Sequence, residues 1–144
     1  MKRAMYSILA LLMLVLSSVS SYAESSDKIV SRTAEIDGQH LHYLYAGHGP
    51  AALLLHGFAE TSRMWRPLIP LLAEKFTVIA PDLPGIGDSS IPTDKIDMIT
   101  SANRIHALVH SLGIEKARVV GHDIGLMIAY AYATQFRRKR RSWW

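Results

Sequence analysis

The first regularity along the chain is an alternation of apolar and polar positions. Arg32 to Ile36 and His40 to Tyr45 flank Asp37-Gly38, and Asp-Gly between two alternating runs predicts a hairpin, because both turn positions require positive φ. In the second arm Leu41, Tyr43 and Tyr45 alternate with His40, His42 and Leu44, which places the two histidines together on a half-exposed strand face. Gly47-His48-Gly49-Pro50 reads as a loop. The alternation then stops. Ala51–Leu55 is a continuous apolar run, the pattern of a parallel strand buried on both faces, and Phe76–Ala80 and Ala117–Val120 read as a second and a third buried strand. Helical spacing fills the gaps between them. Thr61 or Ser62 can cap a helix running to about Lys75 with Trp65, Leu68, Leu71 and Leu72 on one side, kinked or late-starting because of Pro67 and Pro70. Residues 81–90 are rich in turn formers. A second helix spans Ser101 to Leu112, with Ile105, Leu108, Val109 and Leu112 on one face and Gly113 as its stop. A last helix runs from Leu126 to about Phe136. A hairpin followed by strand and helix in alternation predicts an α/β sheet with parallel crossovers.

Charge changes the picture only at the two ends. The 144 residues carry 16 Lys and Arg against 12 Asp and Glu. Lys2, Arg3 and the run Arg137-Arg138-Lys139-Arg140-Arg141 hold seven of those basic residues, so the body keeps nine and is mildly acidic. That body offers no basic surface for nucleic acid. There is no cysteine, which excludes disulfides, thiolate catalysis, zinc–cysteine sites and lipid attachment through cysteine. Lys2-Arg3, the apolar run Ile8–Leu16 and small residues ending in Ser21-Tyr22-Ala23 form the three parts of an export signal, with cleavage expected after Ala23. An uncleaved anchor is the alternative, but the run falls short of the about 20 residues that span a bilayer. Residues 1–23 are therefore expected to be a signal peptide, and the mature protein to be periplasmic or secreted with no stable membrane anchor.

The chemistry concentrates at Val119-Val120-Gly121-His122-Asp123-Ile124-Gly125-Leu126. A strand-like run arrives at Gly121 and a helix-like run leaves from Leu126. Glycines two residues either side of an ionisable residue allow a sharp strand-to-helix turn that holds that side chain outward in a strained backbone. The helix that follows directs free N–H groups and its positive dipole end at the site, which favours an anion there. Two further motifs sit at strand ends: His56-Gly57-Phe58 after the first buried strand, and Asp82-Leu83-Pro84-Gly85-Ile86-Gly87-Asp88-Ser89 after the second. Three such motifs in this order resemble the α/β-hydrolase fold, and Asp at the nucleophile position resembles its epoxide hydrolase and haloalkane or haloacetate dehalogenase branch. The resemblance runs from about Arg32 to Phe136. It makes residues 24–136 part of an α/β-hydrolase domain.

The resemblance implies roles residue by residue. Asp123 is the expected nucleophile: a carboxylate is already an anion at neutral pH and can attack a carbon bearing a strained oxygen or a halide, forming an alkyl-enzyme ester. The backbone N–H groups of Phe58 and Ile124 are the expected oxyanion hole. His56 and His122 are loop supports, neither of them the base, and Gly57, Gly121 and Gly125 are the close-packing positions. A plain helix N-cap is the competing reading of Asp123. His40 and His42 as a metal pair lack an indicated third ligand. Gly85-Ile86-Gly87 lacks the third glycine of a dinucleotide loop. Neither a cofactor nor a metal is implied, and the expected partner is a small-molecule substrate, an epoxide or a haloorganic.

Two departures choose within the branch. Ala59 stands where many of these enzymes have Pro after His-Gly-aromatic. Ile124 stands where haloalkane dehalogenases and many epoxide hydrolases have Trp and haloacetate dehalogenases tend to have Arg, so no side-chain donor for a halide follows Asp123. The pattern leans to the secreted epoxide hydrolases of bacteria, with a dehalogenase as the alternative. The family's base histidine, its acid and its cap all follow the elbow helix, whereas none of the seven histidines here follows Asp123. The tail at residues 137–144 suits no family continuation. One permitted set of codons for it, read from its third base, encodes Pro-Glu-Ala-Glu-Lys-Leu-Val, so a frameshift or truncation is expected. Two expectations follow: the chain lacks turnover as it stands, and its strand at 117–120 is an exposed apolar edge prone to aggregation. A non-catalytic product, or an exported module binding anionic surfaces through its tail, is the remaining alternative.

Overall fold

The computed structural model describes residues 28–136; the expected signal peptide and the basic tail lie outside the described residues. Its elements are β1 (Val30–Ile36), β2 (Gln39–Ala46), β3 (Ala51–Leu55), a 3-10 turn (Ser62–Trp65), α1 (Ile69–Ala73), β4 (Thr77–Pro81), α2 (Met98–Ser111), β5 (Ala117–Gly121) and α3 (Ile124–Phe136). The five strands form one sheet in the order β1-β2-β4-β3-β5. The hairpin turn is as expected: Asp37 and Gly38 both have positive φ, 51° and 74°, and Ile36 pairs with Gln39 across it. β4 and β5 lie parallel to β3 on either side of it, and β2 joins β4 antiparallel.

The sheet is covered on both faces. Leu53, Leu55, Ile79, Leu41 and Tyr43 pack with Ala102, Ile105, Leu108 and Val109 of α2 and Ile128, Ala129 and Tyr132 of α3. Leu54, Val78, Ala80 and Leu44 pack on the other face with Ile69 and Ala73 of α1. This double cover accounts for the unbroken apolar run of β3 and the largely apolar β4, every residue of which is buried.

Four expectations change in detail. The 61–75 helix is broken into a 3-10 turn capped by the Thr61 side chain and a five-residue α1, as its prolines dictate. Its inward residues are Ile69 and Ala73, while Leu68 and Leu71 are exposed; the break rotates the register that a continuous helix would have kept. α2 starts at Met98, three residues early, because the Asp97 carboxylate accepts the Thr100 N–H at 2.8 Å. β5 is not buried on both faces but is the exposed edge that was also expected: it is the outer strand of the sheet among the described residues, and Val120 is 46% exposed. Finally, the strand face bearing His42 is not half-exposed. β4 docks on the free edge of β2, and the loop after β4 carries Asp82 and Ser89 to that face, leaving His42 5% exposed.

Candidate active site

The turn between β5 and α3 is two residues long. Asp123 holds φ at 51°, a left-handed backbone that costs a non-glycine residue roughly 1–3 kcal/mol and persists only where its surroundings impose it. They do so through hydrogen bonds and close packing. His122 N–H donates to the Leu55 carbonyl at 3.0 Å, and the Gly125 and Leu126 amides donate to the His122 and Asp123 carbonyls at 2.9 Å. A Cβ on Gly121 would lie 2.4 Å from the Gly125 carbonyl oxygen, and one on Gly125 would lie 2.5 Å from the carbonyls of Leu55 and His56. Both glycines are needed because backbone, not a movable side chain, fills the space.

The loop after β3 forms the second wall. Phe58 N–H donates to Asp123 Oδ2 at 2.9 Å, so the sheet brings the expected nucleophile and one expected oxyanion donor into direct contact. α3 begins at Ile124, whose N–H is a first-turn amide without an i−4 partner in the helix. The Phe58 side chain is 74% exposed beside this pair. Ala59 has φ of 57°, a backbone closed to proline, whose ring fixes φ near about −65°.

That conformation swings Glu60 back toward the elbow, a residue the sequence reading had not singled out. Glu60 Oε2 accepts the Gly57 N–H at 3.1 Å and lies 3.2 Å from His122 Nδ1. A Cβ on Gly57 would stand 2.6 Å from that His122 nitrogen. His122 therefore ties the elbow to the loop through a carboxylate. The spacing of Gly57 and Glu60, three residues apart, was the available signal, but it becomes legible only once the turn at Ala59 is known.

His56 is fully buried. Its Nδ1 donates to the Gly57 carbonyl and its Nε2 accepts the Leu83 N–H, both at 2.9 Å. A ring with both nitrogens committed this way supports the two loops and has none left for proton transfer. The Leu83 loop is organised by Asp82. Its Oδ1 accepts Ser62 N–H at 2.7 Å, and its Oδ2 accepts Asp88 N–H and faces His42 Nδ1, both at 2.9 Å. Burial alone would push this carboxyl up; the amides of Asp88 and Ser62, the Ser62 side chain and the His42 ring outweigh it and hold it below the ordinary aspartate range. Gly87 serves this carboxylate, since a Cβ there would lie 2.3 Å from Oδ2. Ligand atoms of His42, Asp82 and Asp88 lie within 4.8 Å of one another, one histidine and two carboxylates where the sequence had paired His42 with His40. Both Asp82 oxygens already accept N–H groups, so a cation would have to displace them. His40 stays apart, exposed on the hairpin.

An open groove among the described residues lies away from Asp123, between α2, α3 and the β5 edge. It is lined by His106, Lys116, Val119, Ala129, Tyr132 and Phe136. His106 stacks on Phe136 with ring centroids 3.6 Å apart.

Residues 50–141 match the family model described as alpha/beta hydrolase fold. The soluble epoxide hydrolase of Corynebacterium sp. (strain C12) is 45% identical over 108 residues, 75% of this chain and 38% of that protein. The fluoroacetate dehalogenase of Burkholderia sp is 38% identical over 99 residues, 65% of this chain and 33% of that protein. Among solved structures, epoxide hydrolase CorEH without ligand superposes with a TM-score of 0.75 at 44% identity, over 76% of this chain and 39% of that one. The chain thus spans between a third and two fifths of the length of these relatives.

Proposed function

This chain belongs to the α/β-hydrolase fold family, and from that premise we propose that it carries the nucleophile half of an epoxide hydrolase, with Asp123 attacking a small epoxide. The observation that carries the proposal is the 2.9 Å contact between Phe58 N–H and Asp123 Oδ2, on a turn held at φ of 51°. The hydrogen bond occupies Oδ2 and leaves Oδ1 as the attacking atom. Oδ1 forms the new C–O bond as the epoxide C–O bond breaks, and the released epoxide oxygen takes a proton from water, giving a hydroxyalkyl-enzyme ester. Its carbonyl oxygen then rests on the Phe58 N–H, with the Ile124 N–H as second donor, where an oxyanion would develop on attack by water. His122 and Glu60 hold this geometry as positioning residues.

The relatives support both epoxide and halide chemistry. Similarity to the Burkholderia fluoroacetate dehalogenase favours the second reading. Ile124, which offers no side-chain donor to a departing halide, weighs against it. With no histidine after Asp123 in these 144 residues, we propose that this chain by itself stops at the ester. The first 23 residues direct export, and N-terminal sequencing of the mature protein would then begin at Glu24.

Intact-mass and peptide mass spectrometry after incubation with styrene oxide tests the proposal. One persistent adduct on the Asp123 peptide is the expected result. Diol formation without an adduct, or an adduct elsewhere, overturns it. Halide release from fluoroacetate in place of epoxide alkylation would select the dehalogenase reading.

A further inference from the structure

Three side chains outside the elbow make a second linear array. Ser31 Oγ lies 2.7 Å from His42 Nε2, and His42 Nδ1 lies 2.9 Å from Asp82 Oδ2. Ser31 is exposed on β1, the edge strand of the sheet opposite β5. His42 and Asp82 are both buried behind it. The register places Thr33 opposite His42, so Ser31 reaches the ring along the diagonal of the ladder.

The order of donors follows from the Asp82 end. Asp82 accepts the amides of Ser62 and Asp88, which keeps it an anion and makes it an acceptor toward the ring. A proton on His42 Nδ1 therefore points to Asp82, which leaves Nε2 as the ring atom that faces the Ser31 hydroxyl. A hydroxyl bonded to a base that is oriented by a buried, amide-bound carboxylate is the arrangement that activates a serine nucleophile.

We propose that Ser31, His42 and Asp82 form a covalent acylation site for small activated esters, separate from Asp123. Ser31 Oγ attacks the carbonyl carbon while its proton passes to His42 Nε2. The acyl C–O bond to the leaving alcohol breaks, and the alkoxide takes the proton from Nε2. The product is an acyl-Ser31 and one free alcohol.

A fluorophosphonate probe tests the site on the full chain. Its P–F bond breaks as the Ser31 O–P bond forms, and fluoride leaves. Peptide mass spectrometry is expected to place the label on Ser31 at least 100-fold faster than on Ser111, an exposed serine whose hydroxyl donates only to the Leu108 carbonyl. In urea that selectivity should vanish, and in Ser31→Ala the label should be lost. Comparable rates at Ser31 and Ser111 in the native chain, or equal selectivity in urea, would overturn the proposal. No variant is needed for that comparison, so a folding defect in Ser31→Ala does not decide it. The readout lies on the Ser31 peptide, and the epoxide adduct on that of Asp123, so the two proposals fail separately.

Discussion

Phe58 and Asp123 are 65 residues apart in sequence, yet the backbone N–H of one holds the carboxylate oxygen of the other at 2.9 Å. β3 and β5 are parallel neighbours, Leu55 pairing with Gly121, so the two loops leave the sheet side by side at their C-terminal ends. A parallel sheet gathers strand ends in this way, which is why the three motifs of this chain converge.

Asp123→Asn separates chemistry from folding. Asparagine tolerates the left-handed backbone and keeps an acceptor for the Phe58 amide, so the melting temperature should move by no more than a few degrees. The amide is a poor nucleophile, and the epoxide adduct should disappear. Calorimetry and intact-mass measurement on the same sample check both halves.

The elbow glycines should be intolerant of one methyl group. Gly121→Ala and Gly125→Ala force a Cβ within 2.4–2.5 Å of backbone carbonyls, and overpacking of this kind costs typically 1–3 kcal/mol or more. Gly38→Ala, where nothing lies within 4 Å of the added Cβ, should cost only the strain of positive φ, about 1–2 kcal/mol. Urea unfolding of the three variants would rank them. Equal losses would show that the elbow can relax.

Glu60→Gln keeps the size of the link between Gly57 and His122 and removes its charge. The alkylation rate of Asp123 should fall by about tenfold for Glu60→Ala and less for Glu60→Gln, in keeping with about 1.4 kcal/mol per decade. Stopped-time mass spectrometry of adduct formation measures this. Unchanged rates in both variants would remove Glu60 from the positioning role.

Acid should destabilise the protein in two steps. Burial, with a smaller contribution from His110, lowers the His106 pKa below its ordinary value of 6.5. The unfolded chain then binds the proton more readily, so stability is full above that pH and declines as pH falls through the folded value. Asp82 is also held below its ordinary value of 3.8. Its contribution is present above that value and is lost as pH falls through the lower folded one. His106→Leu should abolish the first step and leave the second, as melting temperatures between pH 3 and 8 (about one-unit steps) would show.

Much of this architecture was legible in the residues alone. Asp37-Gly38 fixed the hairpin because both positions need positive φ, and the unbroken run Ala51–Leu55 announced a strand buried on both faces. Gly121 and Gly125 marked the elbow because only glycine fits where backbone meets backbone. What the residues could not reveal was contact across distant strands. The period of β2 placed His42 on a face but said nothing of Asp82, which β4 and its loop bring to that face from 40 residues away. Glu60 joined the site only through the left-handed turn at Ala59, a conformation with no glycine to advertise it. The array from Ser31 to Asp82 likewise exists only in the folded ladder. Local sequence set each turn and each strand, because φ preferences and burial patterns are properties of neighbours along the chain. The pairing order of the strands decided which side chains meet, because that order is set by the packing of the whole sheet.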